Sequence, residues 1–307
     1  MKPFAFFVGT NGSGTTLHRA IFDSHPELAI PGESQFIVAL AGHRARYQGD
    51  NGFRSDLVAR DLTREHRFRG WGLSEDDVLH VLRAPPPADL PDAIRRVYAL
   101  YAERQGKTRY ADKTQAYIHH LPLLAELFPE ARFVHAVRDG RDVALAHTGG
   151  EAIERVAMSW KRRVEAGRSA GIQLGASRYI ESRFEDLLED PEKAVRRLCA
   201  FLDLEFDPRM LTYYERADAI VATTAAPDRH RDIFLPPTKG LHDWRRDLSG
   251  DQVARFEAMA GDLLGELGYD RAYDPVPVGK RIAAGTGLLL DGIGLAAKRI
   301  RKRVRRS

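Results

Sequence analysis

Phe4-Ala5-Phe6-Phe7-Val8 is an unbroken apolar run that stops at Gly9, the pattern of a strand buried on both faces of a parallel sheet. A loop of small residues over 9–16 follows. It leads into a helix whose apolar face is carried by Leu17, Ala20 and Ile21. That helix is expected to end before His25-Pro26, because the residue ahead of a proline avoids helical geometry. Short strands are predicted at Arg109-Tyr110-Ala111, at Arg132 through Val137, and at Arg178-Tyr179-Ile180. Helical spacing is clear over 191–203 (Ala194, Val195, Leu198, Phe201, Leu202) and over 249–267 (Val253, Phe256, Leu263, Leu264, Leu267). Strands alternating with helices predict an α/β fold of three layers, with a mostly parallel central sheet between helices. Residues 42–108 are richer in Arg, Gly and Pro and are broken by Pro85-Pro86-Pro87. They are read as a helical cap inserted within a single domain over residues 1–275.

Composition adds a location and a tail. With 307 residues, 43% of them apolar and 29% charged, the chain can bury a sizeable core. No stretch reaches the roughly 18 apolar residues of a membrane span. The run after Met1-Lys2-Pro3 is too short for a signal-peptide core. Cys199 is the sole cysteine, so no disulfide can form within the chain, and a reducing, cytoplasmic setting is expected. Cys199 is read as a core residue on its helix. The net charge of +4 hides a division: residues 298–307 hold seven bases and no acid, and without them the charge is −3. The body therefore shows no nucleic-acid surface. In the tail, residues 276–307, Leu288-Leu289-Leu290, Ile293 and Leu295 precede those bases. This pattern fits peripheral contact with an anionic membrane or a solvated terminus. The eleven histidines show no spacing that builds a metal site, and no metal is expected.

The chemistry begins in the loop Gly9-Thr10-Asn11-Gly12-Ser13-Gly14-Thr15-Thr16. A strand, small residues and a helix start bring backbone N–H groups together on a phosphate, and small side chains let it approach. Asn11, Gly12, Ser13, Gly14, Thr15 and Thr16 are the candidate contacts. The spacing also suggests a nucleoside-triphosphatase or kinase, but the lysine such a loop needs after its last glycine is absent, since Thr15 stands there.

Ser13-Gly14-Thr15-Thr16-Leu17, then Asp23-Ser24-His25-Pro26-Glu27-Leu28 and Pro31-Gly32-Glu33, resemble the 5′-phosphosulfate loop region of the sulfotransferases that use 3′-phosphoadenylyl sulfate (PAPS). The likeness is to the bacterial and tyrosylprotein branches. Val137-Arg138-Asp139-Gly140-Arg141-Asp142-Val143 resembles the family's 3′-phosphate motif, and Tyr110-Ala111-Asp112-Lys113-Thr114 its Lys-Thr-Pro segment. Arg183-Phe184-Glu185-Asp186-Leu187-Leu188, with Asp190-Pro191-Glu192, resembles a further family segment. Lys239-Gly240 and Trp244-Arg245-Arg246 resemble the segment that closes over the cofactor.

The resemblance implies PAPS as donor, 3′-phosphoadenosine 5′-phosphate (PAP) as product, and in-line transfer to a hydroxyl or amine. The acceptor is left open among small molecules, glycans, lipids and peptides, with its choice assigned to the cap and to loops around 148–156 and 222–238. Arg138 is expected to hold the 3′-phosphate, with Lys239 and Gly240 as further contacts and Arg141 supporting the turn. Glu33 matches the catalytic glutamate of the tyrosylprotein branch and Lys113 its catalytic lysine. Glu33 paired to a nearby arginine is the alternative to its role as base. His120, in His119-His120-Leu121-Pro122, is the rival base, and His25 is assigned to the turn before Pro26.

Three positions depart from the family pattern. Gly12 stands where a cation is usual, Ala146 where serine is usual, and Phe184 where tyrosine is common. Lys113 is expected to supply the missing charge, with His18 as a weaker source. Gly12→Lys is then expected to restore part of what Lys113→Ala loses. The departures keep open a nucleotide-binding protein of this fold with little catalysis.

Overall fold

Phe4, Phe6 and Val8 lie in one buried cluster and Ala5 and Phe7 in another, so alternate side chains of the first strand enter cores on opposite faces of a sheet. The computed structural model describes residues 2–50, 52–83, 85–146, 152–222, 232–241 and 243–286. The loops assigned to acceptor choice lie in part outside the described residues, as does the tail from residue 287.

The strands are β1 (Ala5–Gly9), β2 (Leu28–Ala29), β3 (Gln48–Gly49), β4 (Gly52–Phe53), β5 (Arg109–Lys113), β6 (Arg132–Val137) and β7 (Tyr179–Arg183). Five of them form a sheet in the order β2-β5-β1-β6-β7, with every pairing parallel, and β3 and β4 form a separate antiparallel pair. Parallel strands share one carboxyl edge, where open α/β sheets bind their ligands. β1 is central, so its following loop leaves from the middle of that edge. A mostly parallel sheet surrounded by helices is the architecture the sequence predicts; β2 is a strand it does not signal. β7 runs to Arg183 rather than stopping at Ile180, which carries Ser182 and Arg183 to the edge.

The chain forms two compact units. The first holds Met1–Thr10, Gly14–Val137 and Ala166–Thr238, and includes the whole sheet. One face of the sheet is covered by residues from 42–108. Val58, Leu62, Phe68, Trp71, Leu82, Ile94 and Tyr98 share the cluster of Phe4 and Phe6. The expected cap is thus a core layer of this unit. The other face carries the helices Thr15–Asp23 and Pro191–Leu202, through Ile21, Phe22, Val195 and Leu198. Cys199 sits in that cluster, and burial pushes its thiol up to about 12, as befits an inert core residue.

The second unit holds Asn11–Ser13, Arg138–Glu165 and Lys239–Ser307. Its principal helix, Gly250–Glu266, opens on a capping box: the Ser249 side chain accepts from the Gln252 backbone N–H while the Gln252 side chain accepts from that of Ser249. Residues of the helix Ile153–Leu174 fall in both units, and no apolar spacing in the sequence predicts it.

Candidate active site

Gly12 and Gly14 both have φ of +89°, in the left-handed region that glycine enters without cost. Gly14 is the N-cap of the helix Thr15–Asp23. It offers no side-chain cap, and the first turn contains no acid. The N–H groups of that turn therefore have neither intrahelical nor capping partners of their own, which is the condition for holding an anion. A side chain on Gly14 would collide with the Phe184 ring, so the loop reaches its shape only with glycine there. His18 secures the same point. Its Nδ1 donates to the Gly14 carbonyl at 2.9 Å and its Nε2 accepts from Ser182 Oγ at 2.8 Å. Burial pulls His18 down to about 4, so it is neutral near pH 7 and is excluded as the substitute cation.

In the second unit, Arg138 Nη1 donates to the Gly12 carbonyl at 3.2 Å, which fixes a largely buried guanidinium against the loop. The Arg138 carbonyl accepts from Trp160 Nε1 at 3.1 Å. Asp139 caps the next helix, Gly140–Leu145, accepting from the Arg141 backbone N–H at 2.9 Å. The Arg141 side chain is wholly buried; it pairs with Asp139 at 2.7 Å and Glu257 at 2.6 Å. Its guanidinium lies 3.6 Å from the centre of the Trp244 ring, and the Trp244 backbone N–H donates to Asp142 Oδ1 at 2.8 Å. Arg141 therefore supports the turn, as the sequence suggests, and anchors the Trp244 segment as well.

In the first unit, Glu33 lies beyond β2 in an irregular segment. The strand stops at Ala29, and Pro31 has no N–H to extend a ladder. Lys113, the last residue of β5, donates through Nζ to Glu33 Oε1 at 2.9 Å. Arg67 Nη1 donates to Oε2 at 2.8 Å, so the glutamate also has the arginine partner held as the alternative. Burial pulls the Lys113 ammonium below its ordinary value while Glu33 beside it pushes back.

A buried polar network that joins motif residues to Tyr98 and Tyr117, which no motif includes, holds this pair. Asp112 accepts from Tyr98 at 2.7 Å and from Thr114 at 3.2 Å. Thr114 Oγ1 accepts from the Ser34 N–H at 3.0 Å, and Ser34 Oγ lies 2.7 Å from the Tyr117 hydroxyl. Burial pushes Asp112 up to about 6. Ser34 follows Glu33 and Asp112 precedes Lys113, so one network fixes the backbone of both.

The other candidates are spread more widely. Asn11 is exposed, and Ser13, Thr15 and Thr16 are buried at the loop. His120 is the half-buried N-cap of the helix Leu121–Leu127, and no hydrogen bond joins it to Glu33 or Lys113 among the described residues. Lys239 is exposed beside Gly240, whose carbonyl accepts from Arg246. His25 serves its turn, accepting from the Glu27 N–H at 3.1 Å and donating to the Glu205 carbonyl at 2.8 Å. No group of three metal-ligating side chains occurs among the described residues.

Two of the departures face each other. A Cβ on Gly12 would lie 3.0 Å from Ala146 Cβ, and the φ of Gly12 disfavours any L side chain. Gly12→Lys therefore carries a backbone cost: that variant is expected to lose about 1–2 kcal/mol of stability through strain, read by chemical denaturation.

The sulfotransferase family model matches residues 3–208. Protein-tyrosine sulfotransferase A of Caenorhabditis elegans is 25% identical over 292 residues, covering 91% of this chain and 70% of its own. A putative protein-tyrosine sulfotransferase of Caenorhabditis briggsae is 26% identical, covering 86% and 88%. Among solved structures, the sulfotransferase domain from the Synechococcus PCC 7002 olefin synthase superimposes with a TM-score of 0.57 at 24% identity. It covers 87% of this chain and 95% of that one, and at this identity bears on the fold. The family match runs through the motifs from Ser13 to Glu192, so the kinase and nucleoside-triphosphatase alternatives fall away. The chain belongs to the sulfotransferase family, enzymes that transfer a sulfuryl group.

Proposed function

We propose that the chain moves a sulfuryl group from PAPS to a hydroxyl, in line, with Glu33 as general base, and that a tyrosyl hydroxyl of a peptide is its acceptor. The observation that carries this reading is the 2.9 Å contact between Lys113 and Glu33, two residues with separate motif assignments that meet in the fold. The peptide acceptor is supported by relatives that bear the name protein-tyrosine sulfotransferase.

The residues present suit the donor. Left-handed glycines and an uncapped helix start leave N–H groups for a 5′-phosphate, and Arg138 offers a fork for a 3′-phosphate. The donor supplies an activated sulfuryl group: its S–O bond to the 5′-phosphate breaks as the acceptor O–S bond forms. Glu33 takes the acceptor proton, for which a carboxylate oxygen with two lone-pair sites has room beside Lys113 or Arg67. Lys113 compensates the charge that gathers on the transferred and departing oxygens, a role in which one preorganised cation is worth several kcal/mol. Phosphoryl transfer is the physical analogue, where positioning and electrostatics supply nearly all the catalysis.

The test is transfer of radiolabel from sulfur-labelled PAPS to a tyrosine-containing peptide and to its phenylalanine counterpart. Label on the first peptide alone supports the reading. No transfer to any hydroxyl, with PAP still bound, favours a non-catalytic nucleotide-binding protein. Arg138→Ala is expected to cost about 1.5–3 kcal/mol of PAP binding, the worth of a charged hydrogen bond, measured by titration calorimetry.

A further inference from the structure

Arg67 belongs to no motif, yet it takes half of the Glu33 carboxylate. Its Nη1 lies 2.8 Å from Oε2, while Lys113 Nζ lies 2.9 Å from Oε1. The residue sits between the helix Ser55–Arg64 and the short turn Phe68–Trp71, inside the segment assigned to the cap. That turn is held rigidly. Phe68 is fully buried and meets Phe36 edge-on at 5.7 Å, and Trp71 Nε1 donates to the Gly32 carbonyl at 3.1 Å. One turn thus grips Gly32 by a backbone acceptor and Glu33 by its side chain.

The two cations on Glu33 are not equivalent. The Lys113 side chain is 4% exposed and that of Arg67 is 33% exposed. Lys113 is also the cation that the transfer itself needs. Lys113 carries three donors on a flexible stem, so it can turn toward the departing phosphate, and a second cation on Glu33 keeps the base in place while it does so. A glutamate side chain released by its only partner would swing among rotamers, and a base must stay within hydrogen-bond reach of the proton it takes.

We propose that Arg67 is the positioning residue of this reaction: it holds Glu33 Oε2, which leaves Oε1 to the acceptor and Lys113 to the departing group. The acceptor O–H proton passes to Glu33 Oε1, the acceptor oxygen bonds to sulfur, and the phosphate leaves with the electron pair of the S–O bond. This inference rests on the reading of Glu33 as base and Lys113 as cation. It adds that the cap segment carries a residue of the reaction, acting through Glu33 and touching neither donor nor acceptor.

The experiment is steady-state kinetics with PAPS and a tyrosine-containing peptide on the wild type, Arg67→Ala, Arg67→Lys, Glu33→Gln and the double variant Arg67→Ala/Glu33→Gln. Arg67→Ala is expected to lower kcat about 10- to 100-fold, the usual result of a misplaced catalytic group, with the KM for PAPS unchanged. Arg67→Lys recovers part of that loss, and so does guanidinium added to Arg67→Ala. In the Glu33→Gln background Arg67→Ala changes nothing further, since non-additivity is the mark of residues acting as one. A kcat for Arg67→Ala equal to or above that of the wild type overturns the inference, as does the same loss appearing in full in the double variant. Full turnover by Glu33→Gln is a different result: it removes the base assignment, and the inference with it.

Discussion

Glu33→Gln is expected to lower turnover by about 10²- to 10⁴-fold while leaving donor affinity nearly unchanged. Glutamine keeps the size and one acceptor oxygen of the side chain but cannot take a proton at neutral pH. The variant acts on Lys113 too. Burial already pulls the Lys113 ammonium down, and Glu33 is the leading influence that pushes it back up. Without that negative charge Lys113 loses its proton at lower pH. The loss of rate should therefore deepen as pH rises, and the alkaline limb of the kcat profile should move to lower pH. Full turnover by Glu33→Gln together with its loss in His120→Ala would transfer the role of base to His120.

Arg141→Ala is expected to destabilise the protein by about 3–5 kcal/mol, the cost of breaking a buried ion pair by removing one partner. Arg141 and Glu257 are both 0% exposed at the side chain, and Asp139 is 7% exposed. Glu257 would keep its hydrogen bonds from the Ala272 and Tyr273 N–H groups, at 2.9 and 2.8 Å, but no buried countercharge on Arg141. Asp139 would keep only the backbone half of its contact with residue 141. Denaturation by urea measures the loss. A change below about 1 kcal/mol, the range of exposed salt bridges, would contradict the buried-pair account.

The central strands β1 and β6 were legible because each is a short apolar run between turn signals; two-residue β2 was not. Phe4 through Val8 and Arg132 through Val137 carry that signal on their own. The helix Ile153–Leu174 was not legible, because Gly167 and Gly171 look like helix breakers. In the fold they are close-approach residues: a side chain at Gly167 would collide with Ile118 and His135, and one at Gly171 with the Tyr179 ring. Tertiary packing sets those positions, and one sequence does not display it. The site divides in the same way. Glu33, Lys113, Arg138 and the loop carry local motifs. Arg67 and Tyr98 reach the site through side-chain contacts across 34 and 14 residues of sequence, which no spacing rule encodes. The positive φ of Gly12 was hidden too, since a backbone torsion is a property of the folded loop.

The central claim, that this loop and Arg138 serve a donor with phosphates on both its 3′ and 5′ carbons, is tested most directly by calorimetric titration with PAP and with adenosine 5′-phosphate. The account predicts that PAP binds at about micromolar affinity or better and that loss of the 3′-phosphate weakens binding about 10- to 100-fold. It also predicts that Arg138→Ala erases the difference between the two ligands. Equal affinity of the wild type for both would contradict it.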